Sequence, residues 1–554
     1  HIIYIVQKVL KVKDVVSSQK HDDMNKLLTL GLLGLTSLPM CAQDIYKMEN
    51  FAGEDLNGTA RYVGMGGSMS ALGAEISTMG TNPAGTALYR RSDFAMSAGL
   101  NSQPNALDFA NRGKTRASFD QAGFVYAARM SSDDNLRFIN LGFNYHKRRN
   151  MKSFVGVDDF YTGGLSQTHQ MLDLTYVNNG FLDLTKDNDR SYTTSLTLLG
   201  YDTQLLYMNK NADGTVAGYD PVNSQSYNYR RAQWGGIQQY DFNLSFNFCD
   251  QVYAGMTFGL YNVDVHNRTD YAEMIIDPAN PGQLHEYNTS NAEALTGTGF
   301  DVKFGVILRP IEESPFRIGV AVHTPVFYDL TSSQYLYVNS PFKNYDSNGN
   351  LVANYTDKSL NVGDNDYKIR TPWKFNLSMA TTVGSFLALN AEYEYRDYGA
   401  SQVRYPGYDD NWSSGEKDEA LCNEAQQYLK PVSTIKVGAE LRAADDFYLR
   451  AGYNWESAPM SKDAFLNLFT SSPSYYYSAN TDYLNLSSIN RFTCGLGYRG
   501  KHAYFDMAYQ FQKQTGDFYA FHVPTETSNV TNRLAPSKVD LNRHQVLFTL
   551  GYKF

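Results

Sequence analysis

Groups able to attack carbon, move protons or hold a metal are present in this chain but are not arranged for that work. Eight histidines follow residue 42, at positions 146, 169, 266, 285, 323, 502, 522 and 544. None stands at the short spacing that places two imidazoles on one metal. The cysteines of the same stretch, Cys249, Cys422 and Cys494, are as scattered. No HExxH, CxxC, GxSxG or Walker sequence occurs. A Ser/His/Asp set can be picked from any chain this long, so picking one here would be arbitrary. The Gly64-Met65-Gly66-Gly67 cluster has Met69 where a dinucleotide loop needs its third glycine, and no βαβ unit surrounds it. The chain is therefore expected not to be an enzyme, and no metal or cofactor is expected. What does recur is opposite charge on consecutive segments: Lys374, then Glu392 and Glu394, then Lys436 and Glu440. Groups of this kind can pair inside a partly closed space. They would serve either as a network that fills that space or as the polar lining of a path.

The elements that carry these charges alternate with period two. Val546, Phe548, Leu550, Tyr552 and Phe554 fall on one face of a strand; Leu547, Thr549, Gly551 and Lys553 fall on the other. Ala503 to Gln512, Phe492 to Tyr498, Leu387 to Tyr395 and Phe300 to Leu308 repeat the pattern. The spacing predicts fourteen strands, with cores near 94–101, 120–129, 136–146, 239–249, 251–264, 297–309, 315–325, 370–382, 385–397, 433–443, 446–456, 489–499, 502–513 and 542–554. The second, Phe119-Asp120-Gln121-Ala122 onward, alternates least well. About 9–11 tilted residues suffice to cross an outer membrane as a strand.

Connections alternate strictly between short (Ser131 to Asn135, Asp250, Arg309 to Ser314, Val383 to Ser385, Ala444-Asp445, Arg499 to Lys501) and long (147–238, 326–369, 398–432, 457–488, 514–541). A transmembrane barrel has this form, with tight periplasmic turns and long outer loops. A soluble sandwich or propeller also alternates, but gives no reason for one loop end to be long or for the chain to stop on Phe554. The 42 tyrosines among 554 residues suit aromatic girdles at two membrane interfaces. The mean hydropathy of −0.42 excludes a bundle of membrane helices. A net charge of −9 without a basic block argues against nucleic acid as a partner. The fold expected is all-β: a transmembrane antiparallel β-barrel of about fourteen strands over residues 94–554, with Lys374, Glu392, Glu394, Lys436 and Glu440 facing its lumen.

Residues 1–42 read as upstream sequence and a signal peptide. Translation is expected to start at Met24; Leu27 to Leu38 form an apolar stretch too short to span a bilayer, and cleavage is expected after Ala42. Residues 43–93 are rich in Gly, Ala, Ser and Met and do not read as strands. A compact, weakly hydrophobic segment of about fifty residues before a barrel suits a plug in its lumen. Gly415 to Lys430 reads as an amphipathic helix packed at the barrel mouth.

Arg61-x-x-Gly64-Met65-Gly66-Gly67, then Ala71-Leu72-Gly73-Ala74-Glu75-x-Ser77 and Asn82-Pro83-Ala84-Gly85, resembles the FadL-type family of outer-membrane transporters for hydrophobic compounds, the long-chain fatty acid and aromatic hydrocarbon channels. The resemblance implies a fourteen-stranded barrel, plugged by a hatch over residues 43–93, in the outer membrane of a Gram-negative bacterium. It makes Asn82, Pro83, Ala84 and Gly85 the hatch motif, and Arg61, Gly64, Gly66 and Gly67 become hatch-packing residues. It implies passive uptake: an apolar ligand caught on outer loops, held in an apolar pocket above the hatch, and released sideways through a gap made by a strand kink. The partners implied are that hydrophobic ligand and outer-membrane lipid, with the barrel assembly machinery during biogenesis, for which Tyr552 and Phe554 would be the C-terminal signal. The other reading is a barrel of this type serving as a protein-docking or secretion component, with the long loops as its surface. The loop at 147–238 is polar and rich in Tyr, Asn and Asp.

Overall fold

The computed structural model describes residues 44–106, 109–110, 113–130, 135–177, 180–278, 280–345, 351–406, 415–469, 472, 478–526 and 528–554. The expected signal peptide lies outside them. Period-two alternation becomes a closed wall. The wall is built from β1 (Asp93–Ser102), β2 (Thr115–Arg129), β3 (Leu136–Asn150), β4 (Ser224–Phe248), β5 (Val252–Ile276), β6 (Leu284–Leu308), β7 (Arg317–His323), β8 (Phe327–Ser340), β9 (Thr356–Arg370), β10 (Lys374–Val383), β11 (Leu387–Asp397), β12 (Pro431–Arg442), β13 (Phe447–Glu456), β14 (Ile489–Arg499), β15 (Ala503–Lys513) and β16 (Arg543–Lys553). The pairs β7/β8 and β9/β10 are each one stave with a break, so the segments make fourteen staves. Neighbours pair antiparallel in chain order, and β16 closes on β1 from Asp93↔Lys553 to Ser102↔His544. The ring of staves thus has no free end strand, as hydrocarbon surroundings require.

Outward positions form an apolar band: Phe94, Met96, Phe124, Phe242, Phe258, Phe304, Leu377, Val437, Phe492 and Leu550 are all exposed. In water a band of this kind would be an aggregation surface; in a bilayer it is the lipid contact. Tyr552 and Phe554 end the last strand on this face, their rings 5.0 Å apart, and the Phe554 N–H donates to the Ser92 carbonyl at 3.0 Å. Inward positions are polar and buried, among them Asp241, Lys303, Glu392 and Asp506.

The expected strand cores lie within the staves, but several staves run much further. β4, β5 and β6 have 25 residues each, about 80 Å at ~3.3 Å per residue, far more than a bilayer needs. The region 147–238 is accordingly not an open polar loop. It folds, with the outer parts of β4 to β6 and β8, into a cap that has its own hydrophobic core. In this cap the strand Ser153–Gly164 pairs with β4. Helices α3 (Gln167–Asp173) and α4 (Ser195–Asp202) contribute Met171, Leu196 and Leu199 to a cluster with Tyr229, Tyr287 and Phe518. The buried Glu273 carboxylate accepts from Ser166 Oγ at 2.5 Å, from the Gln167 N–H at 2.7 Å and from the Tyr271 hydroxyl. That places it on the N-terminal amide end of α3, where a helix favours negative charge.

The staves expected to run unbroken over 315–325 and 370–382 are interrupted at neighbouring positions. Thr324-Pro325 and Thr371-Pro372 supply no proline N–H to the ladder. Threonine hydroxyls replace the missing bonds: Val302 N–H donates to Thr324 Oγ1 at 3.0 Å, and Val326 N–H donates to Thr371 Oγ1 at 2.8 Å. Backbone bonds from Thr324 to Val302 and from Thr371 to Val326 complete each stitch.

Candidate functional site: the filled lumen, an outer cavity and a window in the wall

Residues 44–92 lie against the inner faces of the staves. Helix α1 (Ile45–Ala52) begins at Asp44, whose side chain accepts from the Lys47 N–H; α2 (Ala60–Gly64) begins at Thr59 in the same way. Two short 3-10 helices follow, Ile76–Gly80 and Pro83–Leu88. The segment meets the wall through ions and through glycine. Arg61 grips Glu440 with both branches, Nε to Oε2 at 2.9 Å and Nη2 to Oε1 at 2.8 Å, and Nη1 donates to the Ala74 carbonyl. Glu440 also accepts from Arg450 Nε at 2.6 Å, and Arg450 Nη1 donates to Asp506 at 2.7 Å. Higher up, Glu54 takes Lys374 and Arg148, both at 2.9 Å. Lys436 bridges Glu392 and Glu394, and Glu392 also receives the Ser70 N–H.

The charges read from the sequence fall in separate groups: Lys374 meets Glu54 and Glu440 meets Arg61 of the N-terminal segment, while Lys436 pairs with Glu392 and Glu394 across the wall. Gly66 is left-handed (φ +66°), and a Cβ there would stand 2.9 Å from the Tyr453 nitrogen; Gly452 on the wall faces it with as little room. Gly64 packs on Gly495, and Gly67 lies under Leu56 and Tyr62.

The Asn82-Pro83-Ala84-Gly85 motif is a docked turn. Asn82 Oδ1 accepts from the Ala84 N–H at 3.1 Å, and Pro83 opens the 3-10 helix. Wall glycines Gly255 and Gly305 make room for it: a Cβ on either would sit within about 2.4 Å of Pro83 or Asn82 atoms. Asn243 holds the Pro83 carbonyl at 3.2 Å, and Thr86 donates to Asn243 at 2.6 Å. The motif lies near the short-turn ends of β5 and β6, and its residues do not line the two cavities described next.

The first cavity, about 210 Å3, lies at the outer end of the plug between α1 and the wall. The apolar pocket that the resemblance implies is not what stands here. The lining mixes Met151, Leu484, Leu486, Ile489 and Leu541 with Lys47, Glu49, Arg149, Arg231, Glu293, Glu456, Asp482, Arg491 and Arg543. Most of these charges are matched: Lys47 with Glu293 at 2.5 Å, Arg149 with Glu49 at 3.4 Å, Arg231 with Asp482 at 3.1 Å and Arg491 with Glu456 at 3.0 Å. Roofing α1 is α5 (Glu419–Tyr428), which buries Leu421, Cys422, Ala425 and Tyr428. This is the amphipathic helix expected at the barrel mouth.

The second feature is a window between β2 and β3. Their ladder covers only nine pairs, from Arg129↔Phe138 to Gln121↔His146. Outward of Gln121, β2 is paired with β1 alone, and β3 with β4 alone. The break coincides with a bulge: Ser97 faces Gln121 and Ala98 faces Phe119, leaving Asp120 as the extra residue. Asn57 of the plug sits at the sill, its Nδ2 donating to Asp120 at 3.2 Å and to the Lys147 carbonyl at 3.1 Å. Gln103 forms the lintel. Its amide exchanges two bonds with the Phe154 backbone, at 2.9 and 3.1 Å, as a ladder residue would. Outside, the Phe119 and Tyr145 rings stack at 5.6 Å. A second cavity of about 40 Å3 lies behind the window and shares Asp55, Asn150, Gln512 and Arg543 with the first.

The window and Arg543 were not singled out by sequence reasoning. One signal pointed there: the poor alternation from Phe119 onward is the bulge at Asp120.

No protein-family model and no curated protein sequence matches the chain. Among solved structures it is similar to a FadL homologue of Pseudomonas aeruginosa (11% identity, 90% of this chain and 99% of that one, TM-score 0.49). It is also similar to the toluene transporter TbuX of Ralstonia pickettii (12%, 90% and 98%, TM-score 0.44) and the toluene transporter TodX of P. putida (12%, 90% and 99%, TM-score 0.45). At these identities and scores the likeness carries no argument; the barrel rests on its own ladders.

Proposed function

We propose that the chain is a channel of the bacterial outer membrane for passive uptake of hydrophobic small molecules, long-chain fatty acids among them. The observation that supports this most is the pair of adjacent cavities with shared lining, at the outer end of the plug and behind the window in the wall. A molecule that partitions into lipid gains by leaving sideways, since each buried CH2 is worth about 0.8 kcal/mol. It then has no need to displace a plug held by buried ion pairs. Tyr552 and Phe554 act, in the same reading, as the terminal signal for insertion by the assembly machinery. The experiment is native mass spectrometry of protein purified from its own membrane. A stoichiometric apolar or amphiphilic molecule, depleted by Asn57→Trp, is the expected result. Bulk phospholipid alone, with protein subunits retained, overturns it.

The folded cap supports a second reading, a docking or secretion component. Its hydrophobic core draws on segments far apart in the chain and makes a built outer surface. Retained subunits in the same spectra would favour it.

A further inference from the structure

Residues 478–482 stand between the outer cavity and the cap. Ser478, Ala479, Asn480 and Asp482 line the cavity on one side. On the other side the segment meets the cap, mostly through side chains. It joins no strand, and among the described residues its backbone makes one hydrogen bond, from the Leu196 N–H to the Ser478 carbonyl at 3.3 Å. Tyr229 and Arg231 hold Asp482 at 2.6 and 3.1 Å. Thr481 Oγ1 donates to the Ala520 carbonyl at 2.8 Å and accepts from Gln167 Nε2 at 2.7 Å.

Gln167, the first residue of α3, ties this segment to the wall. Its Oε1 accepts from the Tyr287 hydroxyl at 3.0 Å, and its N–H donates to Glu273 Oε1 at 2.7 Å. Glu273 is fully buried in the cap. Tyr271 of β5, Tyr287 of β6 and Ser166 before α3 surround it, with Tyr227 of β4 against the Tyr271 ring. His169 of α3 turns its Nδ1 to the Ser166 N–H; burial, and then Arg533, make it harder to protonate. Among the described residues no ion pair within 4.0 Å answers Glu273. Burial pushes its carboxyl up to about 7, against the pull of the Ser166, Tyr271 and Gln167 donors. Protonation costs no contact: Oε2–H can donate to Ser166 Oγ while Oε1 still accepts from Gln167 and Tyr271. Ionisation keeps the contacts but leaves a charge in the cap core without a counter-ion.

We infer that 478–482 is the movable closure of the outer cavity, and that Glu273, acting through Gln167, is its pH-dependent latch. This goes beyond the uptake reading, since the closure serves whatever enters the cavity. When the segment opens, water reaches Glu273, which returns towards its ordinary value near 4.5. The closed form therefore holds the proton more tightly. Its hold is complete below that ordinary value and is lost as pH rises through about 7.

Hydrogen exchange over 478–482 in the intact chain in detergent, corrected for intrinsic rates, tests the latch. Exchange is expected to be several-fold faster at pH 8 than at pH 6. Glu273→Gln, which offers one acceptor and one donor as the neutral carboxyl does, should stay slow at both. Thr481→Val, which removes the acceptor for Gln167, should be fast at both. Opening of the cavity itself is read at pH 6 from a Leu486→Cys thiol in its lining, with the exposed Cys249 and Cys494 replaced by serine. A charged maleimide should modify it several-fold faster once Thr481→Val is added. A wild-type exchange rate that does not change with pH overturns the latch, as does a pH dependence that survives Glu273→Gln in a barrel of normal heat-modifiable mobility. Equal maleimide rates overturn the closure. The uptake reading survives all three results, since it stands or falls on the co-purified molecule.

Discussion

Arg61 and Glu440 define what holds the plug. Their bidentate contact is part-buried, and Glu440 also serves Arg450. Removing one partner of such a pair strands a charge, at a cost of about 3–5 kcal/mol, whereas removing both costs less. Glu440→Ala, which leaves Arg61 only the Glu75 carboxylate at 3.8 Å, should therefore lower thermal stability more than the double variant Arg61→Ala/Glu440→Ala, as read by the temperature at which the heat-modifiable band shifts. Equal losses would show that the pair does not act as a unit. At Gly66 the argument is steric: Gly66→Val adds a Cβ within 2.9 Å of wall backbone at φ +66°. It should displace the plug and expose cells to bulky antibiotics that the wild-type barrel excludes. Both residues were legible in the sequence, one as a cation before a glycine run, the other within that run. Arg543 was not, because period two gives a residue's face but not whether its charge is matched; that depends on which carboxylates distant staves bring opposite it.

At the level of elements, α5 is seated by burial and carries an acid into that seat. Glu424 is pushed up to about 8, first by burial and then by the nearby charges of Asp44 and Asp418. An acid raised in the folded state contributes its stability fully below its ordinary value near 4.5, and loses it as pH rises through about 8. Hydrogen exchange over residues 419–428, corrected for intrinsic rates, should be protected at pH 6.5 and faster at pH 9. Glu424→Gln should flatten that dependence; an unchanged profile in the variant would remove Glu424 as the cause. The proline breaks belong to the same scale. The sequence displays Pro325 and Pro372, yet whether two prolines fall on one level of adjacent staves depends on register, which is set by long-range pairing. Staves 25 residues long were also illegible beyond the membrane. There the inward face meets the cap through Tyr229, Tyr271 and Tyr287, while outward positions such as Asp264 and Arg268 are exposed, so tyrosine and polar residues blur the alternation.

For the molecule as a whole, the closed order of staves followed from alternation and loop lengths, two independent signals that agree. The cap did not follow, because its core gathers Met171, Leu196, Tyr287 and Phe518 from segments far apart in the chain. The filled lumen predicts that the intact chain in planar bilayers conducts ions poorly. Glu54→Ala/Arg61→Ala, which removes two of the ion clamps on the plug, should produce frequent openings; equal conductance would mean that other contacts hold the plug alone.

The central claim is passage from the outer cavity through the window, and initial uptake of radiolabelled dodecanoate by cells tests it most directly. Cells carrying the chain should take up the label several-fold faster than cells lacking it. Asn57→Trp, which fills the space behind the window, should return the rate to that background while the barrel keeps its heat-modifiable fold. Uptake no faster than in cells without the chain, or uptake unaffected by the filled window, would contradict the account.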